Sequence, residues 1–225
     1  MTTPLSHALR TATAQAHQHA EHSRFVDDLL EGRSCKAAFT ALAVQQLVIY
    51  DALESVIQEH YREDPLVKVV DDRRLDRRAA LSADLDHLLG SDHTQRLAAG
   101  QLPVLPATTR YADRLRLEHD SELVLAHHYV RYLGDLSGGQ VIARLVARHY
   151  AVPREALSFY SFEGIEKLKP YKDDYRARLD SLDLSPQRRD LLVERAIEAF
   201  DLSRAVFADL DAARGPQHVA AGIAA

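Results

Sequence analysis

Apolar residues recur at steps of three and four along most of this 225-residue chain, and runs that alternate apolar with polar residues are nearly absent. The first spacing puts side chains on one face of an α-helix, whereas strict alternation is typical of a β-strand. Only 9 glycines and 8 prolines interrupt the pattern. The sequence therefore predicts an all-α fold, built as a multi-helix bundle.

Glycine, proline and capping residues set the expected helix bounds. The last helix has the clearest start, because Ser185 suits an N-cap and Pro186 suits the first helical position. We expect one helical domain over residues 1–215, followed by a mobile tail over 216–225. The expected helices span residues 5–31, 34–62, 76–89, 92–99, 108–118, 121–150, 164–182 with a break at Pro170, and the segment after Ser185.

Composition narrows the class of protein. The 28 basic and 33 acidic residues give a net charge of −5, which argues against a nucleic-acid partner. A single cysteine, Cys35, cannot form an internal disulfide or a structural zinc site alone. No apolar stretch approaches the roughly 20 residues that span a bilayer, and the first residues lack a secretory pattern. We therefore expect a cytoplasmic protein with no membrane anchor.

Three glycines stand inside the most strongly helical stretch, at Gly134, Gly138 and Gly139. Each costs about 0.8–1 kcal/mol relative to alanine in a helix interior. Gly134 and Gly138 are four residues apart and share one helix face. One interpretation is tight packing against a second helix. The other is that a flat ligand lies on bare backbone, where the helix kinks.

Polar residues beside these glycines favour the ligand. Asp135 and Ser137 put hydrogen-bonding groups next to the bare face, and Tyr129 and Arg131 lie about one turn upstream. A dry helix-packing contact does not need them. The sequence therefore predicts a binding surface on this helix.

A second candidate site lies in the first helix, where His17 and Glu21 are four residues apart. At that spacing a carboxylate can accept the imidazole N–H, which fixes the nitrogen that faces a metal and raises its basicity. A solvated, histidine-rich surface would show the same spacing. His19 and His22 point to other faces of the helix, so we expect them at the surface.

A third cluster is basic and aromatic. Its members could form a solvated face with ion pairs, since Asp173 and Asp174 interrupt it, or they could clamp the carboxylates of an anionic ligand. The cluster consists of Arg10, Lys167, Lys169, Lys172, Tyr175 and Arg176.

Residues 125–140, with the sequence LAHHYVRYLGDLSGGQ, closely resemble the distal helix of the haem oxygenases, particularly the soluble bacterial ones. Residues 13–17, with Ala20 and Glu21, are similar to the family's proximal segment. Further similarity lies in residues 49–54, 159–176 and 199–210. The resemblance covers the chain from about residue 5 to residue 210.

The resemblance implies a haem between a proximal N-terminal helix and a kinked, glycine-rich distal helix. His17 would be the axial ligand of the haem iron, with Glu21 behind it. Gly134 and Gly138 would form the distal face, and Gly139 would allow the kink. Asp135, Tyr50, Arg131 and Tyr111 would organise distal water. Haem contacts would come from Arg10, where the family often has lysine, and from Tyr129, Lys167, Lys172, Arg176, Phe200 and Phe207.

The activity implied by the resemblance is cleavage of haem to biliverdin, carbon monoxide and ferrous iron. It would use b-type haem as substrate and cofactor, O₂, and electrons from a separate NAD(P)H-linked reductase or ferredoxin. We expect a monomer that releases iron from haem. Two alternatives stay open: a haem carrier or sensor without turnover, and a di-iron oxidase, which needs several inward Glu and His ligands from different helices.

Overall fold

The computed structural model describes residues 3–118 and 120–214. Within them the chain forms α-helices joined by turns, with no β-strand, which confirms the predicted all-α fold. Met1, Thr2, His119 and residues 215–225 lie outside the described residues, and so does the expected tail over 216–225. The described α-helices are α1 (Leu5–Glu21), α2 (Arg24–Leu30), α3 (Lys36–Val56), α4 (Arg78–Leu89), α5 (His93–Ala98), α6 (Pro106–Leu117), α7 (Ser121–Tyr150), α8 (Leu168–Asp180) and α9 (Pro186–Ala213).

Two long helices begin where the sequence predicts, at residues whose side chains cap them. The Asp120 carboxylate accepts hydrogen bonds from the backbone N–H groups of Glu122 at 3.0 Å and Leu123 at 3.3 Å, ahead of α7. The Ser185 hydroxyl accepts one from the backbone N–H of Arg188 at 3.3 Å, ahead of α9. These caps satisfy N–H groups that have no partner inside the helix.

The predicted first helix, 5–31, is wrong in its extent, because it is two helices. Ser23 has an extended backbone, with φ −68° and ψ 143°, and separates α1 from α2. The Ser23 side chain makes no cap hydrogen bond to α2, and the turn lets α2 bury Phe25 completely. Gly32, which follows α2, has a φ of +79°, and a Cβ there would lie 2.8 Å from Nδ1 of His149. Both conditions require glycine at this turn.

The predicted helix over 164–182 is wrong at its start. Gly164 has a φ of +76°, and α8 begins only at Leu168. Pro170 does not break α8, because it lies in the first turn, where its missing N–H would have no partner inside the helix.

The helices pack in two groups. In the first, α9 contacts α1 and α7. In the second, α3 contacts α4 and α6, and α9 also contacts α3 and α6, so α9 belongs to both groups. α3 continues into a single π-helical turn, Ile57–Tyr61. The segment Lys36–Tyr61 is the one described helix apolar and long enough to cross a bilayer, and 67% of its apolar window is buried inside the protein. Such burial is typical of a core helix.

Candidate functional site

A cavity of about 390 Å³ lies between α1 and α7, within the size range of small-molecule sites. α1 and α7 supply most of its wall, α8 and α9 supply one residue each, and α9 contacts both long walls. The lining residues are Arg10, Thr13, Ala14, His17, Glu21, Tyr129, Val130, Leu133, Gly134, Ser137, Gly138, Arg176 and Phe200.

The α1 wall presents the His17 imidazole. Its Nδ1 lies 3.2 Å from a carboxylate oxygen of Glu21, and the side chains of His17 and Glu21 are 48% and 61% exposed. The ring meets Phe200 of α9 edge-on, with 5.5 Å between ring centroids. Because Nδ1 is engaged by Glu21, Nε2 is the nitrogen left for a metal in the cavity.

The α7 wall is bare backbone at Gly134 and Gly138. A Cβ built on either residue would meet no atom within 4 Å, so these glycines do not serve contact with another helix. Gly139 differs, because a Cβ there would lie 3.1 Å from Cδ1 of Tyr160. Both interpretations of the glycines therefore apply, to different residues: helix packing explains Gly139, and an open surface explains the other two. α7 is continuous across all three, and the kink stays a prediction.

Behind the bare wall, α7 carries a polar cluster that reaches α3 and is buried at Tyr50 and Arg131 and half-buried at Asp135. The Tyr50 hydroxyl donates a hydrogen bond to the Asp135 carboxylate. The guanidinium of Arg131 lies 4.5 Å from the centroid of the Tyr50 ring and donates to the side-chain oxygen of Gln46. Burial raises the pKa of the Asp135 carboxyl to about 6, although Arg131 and the Tyr50 hydrogen bond oppose the rise. A carboxyl with this pKa can exchange a proton near neutral pH.

Tyr111 extends this cluster towards His127. The Tyr111 ring centroid lies 5.9 Å from the Arg131 guanidinium, and its hydroxyl lies 3.0 Å from Nδ1 of His127. Nε of Arg131 and Nε2 of His127 are buried and have no hydrogen-bond partner among the described residues. Buried polar atoms are nearly always hydrogen-bonded, so both indicate bound water beside the cluster.

Cations gather at one end of the cavity. Arg10, Tyr129 and Arg176 line it, and Nζ of Lys172 donates to the Ser137 hydroxyl at 3.2 Å. Arg176 also pairs with Asp173 at 3.1 Å. This arrangement can bind carboxylates of a ligand inside the cavity.

Comparisons with known proteins agree with this geometry. The family model described as "Heme oxygenase" matches residues 3–209. Haem oxygenase 2 of Rattus norvegicus is 32% identical over 213 residues, which cover 93% of this chain and 66% of the rat protein. Haem oxygenase 1 of Homo sapiens is 34% identical over 210 residues, which cover 92% and 71%.

The chain belongs to the haem oxygenase family. Among solved structures, haem oxygenase-1 from Synechocystis sp. PCC6803 in complex with haem superposes with a TM-score of 0.86 at 28% identity, covering 93% of each chain. The haem oxygenase from Leptospira interrogans gives 0.82 at 30% identity, covering 91% of this chain and 98% of that one. The family and the fold predicted from the sequence are therefore confirmed.

The structure brings most of the residues expected from the haem oxygenase resemblance to one site, and it puts some of them elsewhere. Phe207 stacks on Phe25, with 6.3 Å between ring centroids, and is not in the cavity wall. Gly139 contacts Tyr160 and is also absent from the wall. Lys167 is exposed at the residue before α8. Tyr50, Arg131 and Asp135 form the cluster behind the wall, as described above.

Sequence reasoning missed part of the cavity wall. Thr13 and Ala14 of α1 lie four and three residues before His17, so helical spacing would have found them. Val130, four residues before Gly134, would have followed from the same rule. Gln46, the partner of Arg131, had no such signal, because it lies 85 residues away in sequence.

Proposed function

We propose that this chain is a haem oxygenase that converts haem to biliverdin, carbon monoxide and ferrous iron. The observation that carries the proposal is one cavity, of about 390 Å³, lined by the His17 imidazole and by the bare backbone of Gly134 and Gly138. An imidazole suits the iron of b-type haem, and bare backbone lets the flat macrocycle approach the helix.

The residues present fit haem at each end of the cavity. His17 would hold the iron through Nε2, with Glu21 fixing the ring from the other side. Arg10, Arg176 and Lys172 would bind the two propionates, because arginine and lysine pair with carboxylates. Phe200 would contact a face or edge of the macrocycle.

Bound haem supplies the iron that binds O₂, and the chain supplies what surrounds it. Gly134 and Gly138 put no acid–base side chain over the iron, which sets this site apart from peroxidase sites. The Asp135 carboxyl, with a pKa of about 6, holds a proton near the bare wall and orients water towards it. Tyr50 and Arg131 fix the position of that carboxyl. The cations at the cavity end set the rotation of the macrocycle, and so the carbon that is attacked.

The two alternatives fit the structure less well. A haem carrier or sensor has no need of a carboxyl with a raised pKa behind the binding surface. A di-iron oxidase needs several inward carboxylates and histidines, and no group of three or more such residues suited to a metal ion occurs among residues 3–118 and 120–214.

The proposal also covers the electron source, the cellular location, the oligomeric state and the purpose of the reaction. Opening the haem ring with O₂ consumes electrons, and in this proposal a separate NAD(P)H-linked reductase or ferredoxin supplies them. The chain works in the cytoplasm as a monomeric, single domain over residues 1–215, and it releases iron from haem.

The deciding experiment adds haem to the purified chain and then supplies electrons under air. We expect a 1:1 complex with a sharp Soret band, followed by loss of that band and formation of biliverdin. Carbon monoxide and chelatable ferrous iron should appear in equal amounts. A haem complex that survives reduction under air would instead identify a carrier, and the absence of any complex would refute the proposal.

A further inference from the structure

A second, apolar groove of about 260 Å³ lies away from the haem site. It is formed by α2, the first half of α3, the loop before α6 and the last turn of α9. Its walls are mostly small or aliphatic side chains, and Cys35 is the one thiol in the chain. The groove residues are Phe25, Cys35, Ala37, Ala38, Ala41, Val44, Gln45, Pro103, Leu105, Leu210, Ala213 and Arg214.

Arg214 fixes the chain at the rim of this groove. Its guanidinium pairs with Asp28 at 3.2 Å, bonds Asp211, and lies 5.0 Å from the centroid of the Phe25 ring. Its side chain is only 10% exposed. The last described residue before the segment 215–225 therefore lies at the edge of the groove.

The sequence after Arg214 matches the groove in character. Residues 215–225 read GPQHVAAGIAA and contain no Asp, Glu, Lys or Arg, although 27% of the whole chain is charged. A glycine and a proline come first, which suits a change of direction after a helix. Val219 and Ile223, among small alanines, can fill a groove lined by Ala37, Ala38 and Ala41.

The length of this segment is sufficient. The groove follows α3 from Cys35 to Val44, which is roughly 14 Å at 1.5 Å per helical residue. An extended chain covers roughly 3.3 Å per residue, so five residues reach along it. Burying apolar side chains on both surfaces favours the contact.

We propose that residues 217–225 of the same chain occupy the groove and cover the Cys35 thiol. The occupant is this segment because it follows closely after Arg214 at the rim, is long enough and contains no Asp, Glu, Lys or Arg. This proposal is independent of the haem site, and it opposes the mobile tail expected from the sequence, so one experiment decides between them.

The test measures the rate at which Ellman's reagent modifies Cys35, since thiol modification depends on access. We compare the full chain with a chain that stops at Arg214 and with the full-length variant Ile223→Asp. Both changes should raise the rate at least tenfold. Ala177→Asp, which adds the same charge at an exposed position of α8, should leave it unchanged. A synthetic peptide of residues 215–225 should restore slow modification of the shortened chain.

Equal rates in the full and shortened chains would overturn the proposal and support a mobile tail. A slow rate that speeds up on dilution, together with a dimer in sedimentation, would also overturn it, because a second copy would then cover the groove. Cys35→Ser gives the reagent blank. An unchanged Soret band of the haem complex shows that the shortened chain has folded.

Discussion

The two long walls of the haem cavity are built in opposite ways. The α1 wall presents one imidazole, His17, which is about half exposed and held by a single carboxylate, Glu21. The α7 wall presents bare backbone. Behind it, Asp135 and Arg131 of α7 form hydrogen bonds with Tyr50 and Gln46 of α3. The α1 wall therefore offers a ligand one imidazole nitrogen, and the α7 wall offers it a bare surface with a hydrogen-bonded polar cluster behind it.

Because of this difference, substitutions in the two walls should affect activity and stability in different ways. An exposed side chain contributes little to folding, so changes at His17 or Glu21 should lower activity and leave stability nearly intact. On α7, the glycines and the half-buried Asp135 carboxyl each lower the stability of the fold, so changes there should raise stability and, under the proposed function, lower activity. The predictions below test that division.

Replacing His17 by alanine should have the largest effect on activity and almost none on folding. The variant loses the axial nitrogen, so biliverdin formation should fall by more than the roughly 10–100-fold that loss of a partner behind a metal ligand costs. The unfolding free energy should change by less than about 0.5 kcal/mol, because the side chain is 48% exposed. The haem spectrum and single-turnover product yield measure the first effect, and urea unfolding measures the second.

Added imidazole should restore part of the His17→Ala activity, because it can fill the space of the lost ring. Glu21→Gln is the matched control: it keeps the ring and should lose less. An unchanged haem spectrum in His17→Ala would mean that another residue binds the iron, and the contrast between the walls would fail.

Gly134→Ala and Gly138→Ala should each stabilise the protein and impair turnover. The new methyl group would meet no protein atom within 4 Å, so α7 should gain about 0.8–1 kcal/mol of helix stability. The same methyl would stand where the macrocycle lies, and turnover should fall by up to roughly 10²-fold, the cost of misplacing reacting groups by about 1 Å. Thermal unfolding without haem and biliverdin yield with haem measure the two effects.

Gly139→Ala is the control for the stability gain. Its methyl would lie 3.1 Å from Cδ1 of Tyr160, so the crowding should cancel the gain in helix propensity. Should Gly138→Ala lower stability, or Gly139→Ala raise it as much, the bare wall would have to be a packing surface.

These walls also differ in how far the sequence could predict them. Residues four apart on one helix must share a face, so the pairs His17–Glu21 and Gly134–Gly138 followed from spacing alone. No spacing rule joins Tyr50 to Asp135, which lie 85 residues apart and meet only because α3 and α7 pack together. That contact could be expected only from the family resemblance.

Helix ends were predictable where a side chain caps them and not where a turn depends on distant packing. Ser185 and the start of α7 were predicted correctly, since their caps act locally. The break at Ser23 escaped notice, because the apolar pattern continues across it and the turn serves the burial of Phe25. Phe207 stacks on that same Phe25, and its expected place at the haem edge stays a prediction.

Removing the cations at the cavity end should change which product forms more than how much forms. In the triple variant Lys167→Ala, Lys172→Ala, Arg176→Ala, haem should bind in more than one rotation, and chromatography should resolve more than one biliverdin isomer. Each cation is partly or fully exposed, so affinity should fall by only about 0.2–1 kcal/mol per contact. Lys167→Ala alone should matter least, since Arg176 lines the cavity and Lys172 bonds Ser137 in its wall, whereas Lys167 precedes α8 and is not part of that wall. A single, unchanged isomer from the triple variant would leave the α7 wall as the determinant of regiochemistry.

The last comparison, which concerns stability and its pH dependence, is between two carboxylates, Asp135 behind the α7 wall and the exposed Asp173 of α8. Burial raises the pKa of Asp135 to about 6 from its usual 3.8, so its contribution to folding is fullest below pH 4 and is lost as the pH rises through 6. Asp135→Asn should therefore gain stability relative to wild type between pH 4 and pH 8. The gain should be about 1–2 kcal/mol, less than two pKa units imply, because the side chain is partly exposed.

Asp173 should behave in the opposite way. Lys169 and Arg176 lower its pKa, so its contribution is present at neutral pH and is lost on acidification. Asp173→Asn should lose stability relative to wild type as the pH rises from 3 to 6, and urea unfolding at a series of pH values measures both slopes. Opposite signs for the pH dependence of the two stability differences would mean that Asp135 is shielded from solvent and that Asp173 is not. Slopes of the same sign would mean that the Asp135 carboxyl is as well solvated as that of Asp173. Asp135 would then have no raised pKa, and the proposal that it donates a proton at neutral pH would be refuted.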